Sequence, residues 1–157
     1  MGAISVQSGK RGGEIADSPS FLAITYDTDW YRLWAMRSKN PLDDAETFRV
    51  NANGLVTEIG NCASDAADIQ GQFMGLLRFT QKAWAWAEEI IRSLPEKEQR
   101  SLQMTQLLSL LIKAGYPVKG IPVRGHWVEV DTVEDKEAYE KILSGLEPGT
   151  WHHDWRI

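Results

Sequence analysis

An α/β domain is what this sequence predicts: a mixed β-sheet of four to six strands with helices packed against it. Three observations lead there. Short β-branched or aromatic runs alternate with longer stretches whose apolar residues recur at helical spacing. Asn51-Ala52-Asn53-Gly54 stands between two strand-like runs, and Asn-Gly in that setting is the strongest short hairpin signal. Residues 121–135, IPVRGHWVEVDTVED, hold two strand-like flanks around Arg124-Gly125-His126, then a capping box with Thr132 as N-cap and Asp135 at N3.

The elements follow in order. Residues 1–20 are rich in Gly and Ser and predict a flexible or partner-dependent arm. Within it Ile4-Ser5-Val6 is too short for a confident strand, and Gly9-Lys10-Arg11-Gly12-Gly13 lacks the remaining residues of a phosphate loop. Residues 21–26 are nearly all apolar, as in a strand buried on both faces. Asp27-Thr28-Asp29 ends it, and Asp29 suits the N-cap of a helix over 30–37 with Trp30, Leu33, Trp34 and Arg37 on one face. Asn40-Pro41 breaks the chain. Asp43, Asp44 and Glu46 form an acidic cluster that reads either as a solvated turn or as a metal or acceptor site. The hairpin follows, with strands at 46–50 and 55–59, and then a polar loop over 61–68.

A strand is expected over 72–79, where Gly71 and Gly75 allow close approach by a ligand or a neighbouring element. A helix follows over 81–94, with Trp84, Ala87 and Ile91 on its inner face, ended by Pro95. The next helix, over 101–114, buries Leu107, Leu108, Leu111 and Ile112 and is closed by Gly115. Strands at 117–123 and 127–130 complete the sheet. The last helix, over 133–143, buries Val133, Ala138, Ile142 and Tyr139. The domain therefore runs over 21–146, followed by an aromatic tail over 147–157. In that tail His152, His153 and Asp154 could offer metal ligands, but adjacent histidines rarely share one ion, so packing on a surface is the better reading.

The chain has 157 residues, enough for one domain with a core. Its net charge of −5 argues against a nucleic-acid surface, which needs clustered Lys and Arg. No apolar run approaches the roughly 20 residues that span a membrane. A single cysteine, Cys62, excludes an intrachain disulfide, fits a reducing cytoplasm and lies in no nucleophile motif. Asp131 falls between a strand end and a helix start, where α/β proteins usually hold ligands. On spacing alone an extra cap beside Thr132 is the better reading.

IPVRGHWVEVDTVED resembles the closing motif of the sugar-phosphate and phosphocholine-type nucleotidyltransferases. Four further segments agree in type and order: ITYDTDWYRLWAMRSKNPLDDAE, LVTEIGN, IQGQFMGLLRFT and MTQLLSLLIKAGYPVKGIPV. The resemblance covers roughly residues 21–143. It implies a truncated Rossmann-like nucleotidyltransferase fold, and Asp131 as a ligand of magnesium, the one cofactor expected. It also implies an acceptor-binding set of Glu46, Gln72, Gly75, Trp127 and Glu129 for a phosphorylated small molecule. The family's opening strand and glycine-rich loop, L-x-x-G-x-G-x-R, have no counterpart in these 157 residues, nor does its other metal-binding Asp. The expectation is a nucleotidyltransferase-derived fragment without intrinsic catalysis, acting as a small-molecule-binding or interaction module. The alternative is the acceptor-binding half of a split enzyme completed by another chain. A sheet without its neighbours and seven tryptophans predict a homodimer, with the arm over 1–20 or the tail over 151–157 reaching across it.

Overall fold

The computed structural model describes residues 4–7 and 19–156. The strands are β1 (Ile4–Gln7), β2 (Leu22–Asp27), β3 (Glu46–Val50), β4 (Val56–Cys62), β5 (Gln72–Phe79), β6 (Lys119–Val123) and β7 (Trp127–Val130). The helices are α1 (Trp30–Arg37), α2 (Gln81–Ser93), α3 (Glu96–Ser101), α4 (Met104–Lys113) and α5 (Val133–Leu143). The architecture is the predicted mixed α/β one. The Gly9–Gly13 loop and most of the expected arm lie outside the described residues.

The central sheet has the order β5-β2-β6, with β2 antiparallel to β5 and parallel to β6. All six residues of β2 are buried, which explains its unbroken apolar reading. Leu22, Ile24 and Tyr26 face a core shared with Ala83 and Ala87 of α2 and Leu107, Leu108 and Leu111 of α4. A second core joins Trp30, Leu33 and Trp34 of α1 to Met74, Val123, Trp127, Val128 and Tyr139.

The expected single sheet of four to six strands is instead three separate ladders. The hairpin β3–β4 forms its own pair; an isolated bridge at Leu55–Lys119 links it to β6 of the sheet, and another at Phe48–Ile69 ties it to the segment ahead of β5. Strand β7 does not continue beside β6, because Gly125 and His126 both have positive φ, 58° and 56°, and swing the chain out of line. It pairs antiparallel with β1 instead, Ile4 opposite Val130 and Gln7 opposite Trp127. Ile4–Gln7 is thus a strand, although alone it reads as too short. Its ladder partner lies more than a hundred residues away, beyond any local pattern.

Three details of the helices also differ. Trp84 is 47% exposed and Val133 is 67% exposed. The small side chains of Ala83 and Ala87 carry α2 against the core, which pushes Trp84 to the rim, its ring edge-on to Phe79 at 5.6 Å. In α5 the buried stripe runs through Asp135 and Tyr139, one turn apart, leaving Val133 outside it. Pro95 both ends α2 and starts the unpredicted α3, its carbonyl accepting from Glu98 N at 2.9 Å and Gln99 N at 3.0 Å. No helix among the described residues is long and apolar enough to cross a membrane.

Candidate functional site

Arg37 sits on the last turn of α1, in line with Trp30, Leu33 and Trp34. A cation on that apolar stripe must find carboxylates when the stripe is buried. It finds four. Its Nη1 donates to Glu129 Oε2 at 3.0 Å and its Nε to Asp135 Oδ1 at 3.2 Å. Its Nη2 donates to Asp131 and also reaches Asp135 Oδ2 at 3.4 Å and Asp44 Oδ2 at 3.9 Å. The guanidinium carbon lies 5.2 Å from the Trp34 ring centre, an added cation–π contact.

Each acidic partner is delivered by a different local rule. Glu129 and Asp131 are two apart in β7 and just after it, so they project to one side. Asp135 is the N3 residue of the capping box: its Oδ2 accepts from Thr132 N and from Asp131 N, both at 3.0 Å, while its own N–H donates to Thr132 Oγ1 at 3.1 Å. Asp44 follows the short helical turn at Pro41–Asp43. One cation against four carboxylates leaves a strongly negative patch. Burial, with Asp131 and Asp44 nearby, pushes Glu129 up to about 7 despite Arg37. Asp135 moves the other way: burial alone would raise it, but Arg37 and the N–H groups of Asp131 and Thr132 hold it below the usual range. Tyr139 closes the floor, its hydroxyl donating to Glu129 O at 2.9 Å.

The remaining residues implied by resemblance are distributed as follows. Gln72 is buried at the start of β5 and clasps the backbone of Glu46, donating to its carbonyl at 2.6 Å and accepting from its N–H at 3.4 Å. The Glu46 carboxyl is raised by burial and by Asp44, so it borders the Arg37 cluster. Trp127 is fully buried and its indole N–H donates to Asp27 Oδ2 at 2.8 Å. Gly75 is exposed, with φ at 76°, in the stretch of β5 where the pairing with β2 shifts register. No contact ties it to the cluster among the described residues.

A magnesium ion takes carboxylate oxygens that are free to turn toward it. Here Asp131 is engaged by Arg37, and both oxygens of Asp135 are used by Arg37 and the helix cap. Among the described residues no group of three or more His, Cys, Asp or Glu side chains is arranged to hold a metal ion. The residues present do not by themselves fit a magnesium site; Asp131 could at most contribute one ligand.

A second constellation lies at the carboxyl ends of β2 and β6. Asp27, fully buried, accepts from Asp29 N at 2.9 Å, Gly125 N at 3.0 Å and the Trp127 indole. The tail folds over it. His152 Nε2 meets Asp29 Oδ2 at 2.7 Å, His126 N donates to His152 O at 2.9 Å, and the His153 ring is buried 3.8 Å from Asp27 Oδ2. Trp151 and Trp155 flank Tyr139. The aromatic tail therefore docks on its own chain.

Sequence reasoning did not assign Arg37, Asp27 or Asp135 to a site. Arg37 had a usable signal: an arginine on the apolar face of a helix announces buried carboxylates. Asp27 had none, since two of its three donors, Gly125 N and the Trp127 indole, lie 98 and 100 positions away.

The comparisons agree with this fold. No family model matches the chain. Over 122 residues it is 34% identical to the CTP:phosphoglutamine cytidylyltransferase of Campylobacter jejuni, a match covering 74% of this chain and 48% of that protein. The structure superposes on the inositol-1-phosphate CTP transferase from T. maritima with a TM-score of 0.59 and 16% identity, covering 91% of this chain and 54% of the other. At that identity the second likeness is one of fold alone. The chain is nucleotidyltransferase-like, and it spans about half the length of these relatives.

Proposed function

We propose that this chain is a nucleotidyltransferase-derived module that binds a phosphorylated small molecule and does not transfer a nucleotide by itself. The observation that carries the second half of the reading, that the chain does not transfer a nucleotide by itself, is the state of Asp131. Its carboxylate is held by Arg37, beside Glu129 and near Glu46, in a cluster with no metal-capable set of ligands among the described residues. The similarity to a CTP:phosphoglutamine cytidylyltransferase supports the ligand class.

Nucleotidyl transfer needs an acceptor phosphate in line with the α-phosphorus and fixed positive charge for the transition state. Each preorganised stabilising group lost from such a site costs about 2.7–4 kcal/mol of barrier. These 157 residues lack the family's L-x-x-G-x-G-x-R loop, so several such groups are missing at once. The test is direct. The pure chain, with CTP, magnesium and phosphocholine or a sugar phosphate, is expected to release no pyrophosphate. Thermal shift with the same phosphorylated compounds is expected to raise the melting temperature, because a site filled at 100 times its dissociation constant adds about 2.7 kcal/mol. Pyrophosphate release abolished by Asp131→Ala would overturn the inactive reading.

The half-length match to the relatives favours one alternative, the acceptor-binding half of a split cytidylyl- or uridylyl-transferase. Its signature is pyrophosphate release that appears only when a separate nucleotide-binding chain is added.

A further inference from the structure

The Arg37 side chain is only 7% exposed, yet it is one of the most heavily bonded groups in the molecule. It joins three elements: α1, on which it sits, β7 with Glu129 and Asp131 beyond it, and the cap of α5 through Asp135. Its fork is divided among separate carboxylates rather than spent on one. Nε and Nη2 take Asp135, Nη1 takes Glu129 and Nη2 takes Asp131. A lysine, with its single point charge, could not meet all three in fixed directions. Trp34 supports the guanidinium from one side at 5.2 Å. A divalent ion between Asp131 and Glu129 would have to stand close to this buried cation, and like charges that close repel strongly in a partly buried setting.

We propose that Arg37 is the resident cation of the Asp131 cluster: it holds Asp131 and Glu129 together in place of a divalent ion, and a metal can bind Asp131 only by displacing it. The role of Arg37 is positional, acting through the two carboxylates. The inference rests on the acceptor-side reading of Asp131, but it is tested without any acceptor or nucleotide. Failure of phosphorylated compounds to bind would sink that reading and leave this one untouched.

The experiment titrates the full chain with Mn2+ alone, following free ion by electron paramagnetic resonance. Wild type is expected to show no saturable binding that depends on Asp131. Arg37→Gln leaves four carboxylates without their cation and is expected to bind Mn2+ at least about tenfold more tightly, with the gain removed by adding Asp131→Asn. A merely structural arginine would lower stability on substitution without creating a metal site. Should Arg37→Gln fail to fold, Arg37→Met keeps the apolar stem beside Trp34 without the charge, and is expected to bind Mn2+ more tightly than wild type. Saturable wild-type binding that Asp131→Asn abolishes overturns the proposal. So does equal binding by wild type and a folded Arg37 variant.

Discussion

At the scale of single residues, the two most constrained polar groups are neighbours at the end of β2. Asp27 is buried without a cation; its three N–H donors carry the stabilisation. Asp27→Asn keeps the shape but turns half of the acceptor into a donor that faces donors. It is expected to cost about 1–3 kcal/mol, or several degrees of melting temperature in a chain of this length. A melting temperature equal to that of wild type would show that the three bonds do not matter. His153 is the complementary case. Burial holds its imidazole below the ordinary histidine range, although Asp27 pulls the other way. Its two ring nitrogens have no hydrogen-bond partner among the described residues. The unfolded chain therefore takes up a proton here before the folded chain does. The His153 contribution is full above the ordinary histidine value of about 6.5 and is lost as the pH drops below it; Glu129, pushed up to about 7 by burial, titrates over the same range with the opposite sign and cancels when wild type is compared with a His153 variant. Asp29, which Arg124 and His152 hold low, contributes only in more acid solution. Denaturant melts at pH 7 and pH 5 should show a larger loss for wild type than for His153→Phe, and equal losses would refute this assignment.

Among the elements, the loop between β6 and β7 decides how the tail docks. Gly125 has φ at 58°, and a Cβ there would stand 2.4 Å from His152 O. Gly125→Ala thus meets both backbone strain and a backbone clash. A cost of about 1–3 kcal/mol is expected, together with faster amide exchange or proteolysis over residues 149–156 than elsewhere; uniform protection of the tail would contradict it. How legible these elements were depends on range. The helix over 30–37 and the strand over 127–130 were readable to the residue, because turns and apolar periods are local signals; Asp29, expected as the helix cap, makes no capping bond there and gives its carboxylate to Arg124 and His152 instead. The Asn51–Gly54 turn was equally plain, and Asn51 Oδ1 accepts from Asn53 N at 2.9 Å and Leu55 N at 3.0 Å. The pairing of β1 with β7 and the docking of His152 on Asp29 join residues more than a hundred positions apart, and single-sequence patterns hold no trace of that. The site divided along the same line. Asp131 and Glu129 came from the motif around them, and Arg37 from its helix face, whereas the meeting of Arg37 with those carboxylates, more than ninety positions away, is seen only in space.

For the whole molecule, the open question is what meets the outer edge of β5. Strand β2 is paired on both sides, and β6 is partly closed by the hairpin turn, with Gly120 N donating to Gly54 O at 2.9 Å. Strand β7 is covered by β1. Among the described residues β5 is paired only with β2. It is eight residues long and holds Phe73, Leu76, Leu77 and Phe79, all half-buried. Beyond its end lie Phe21, 45% exposed, and Trp84, 47% exposed. Edges of this kind are templates for another strand. We propose that a second copy supplies it through a twofold axis, the simplest closed arrangement of identical chains. Antiparallel self-pairing centred between Gly75 and Leu76 would set Phe73 opposite Arg78 and Met74 opposite Leu77, with no like charges opposed. The tail does not reach across such an interface, since it is tied to Asp29 of its own chain. Light scattering at micromolar concentration should give twice the 17.7 kDa chain mass. A stable interface should bury at least roughly 1,000 Å². Leu76 belongs to neither core cluster, so Leu76→Lys should leave the fold intact while setting two ammonium groups beside the axis. That variant is expected to be monomeric with little change in unfolding midpoint when measured at low concentration. A wild-type mass of 17.7 kDa that does not rise on concentration rules the dimer out. A dimer that survives Leu76→Lys moves the interface away from β5.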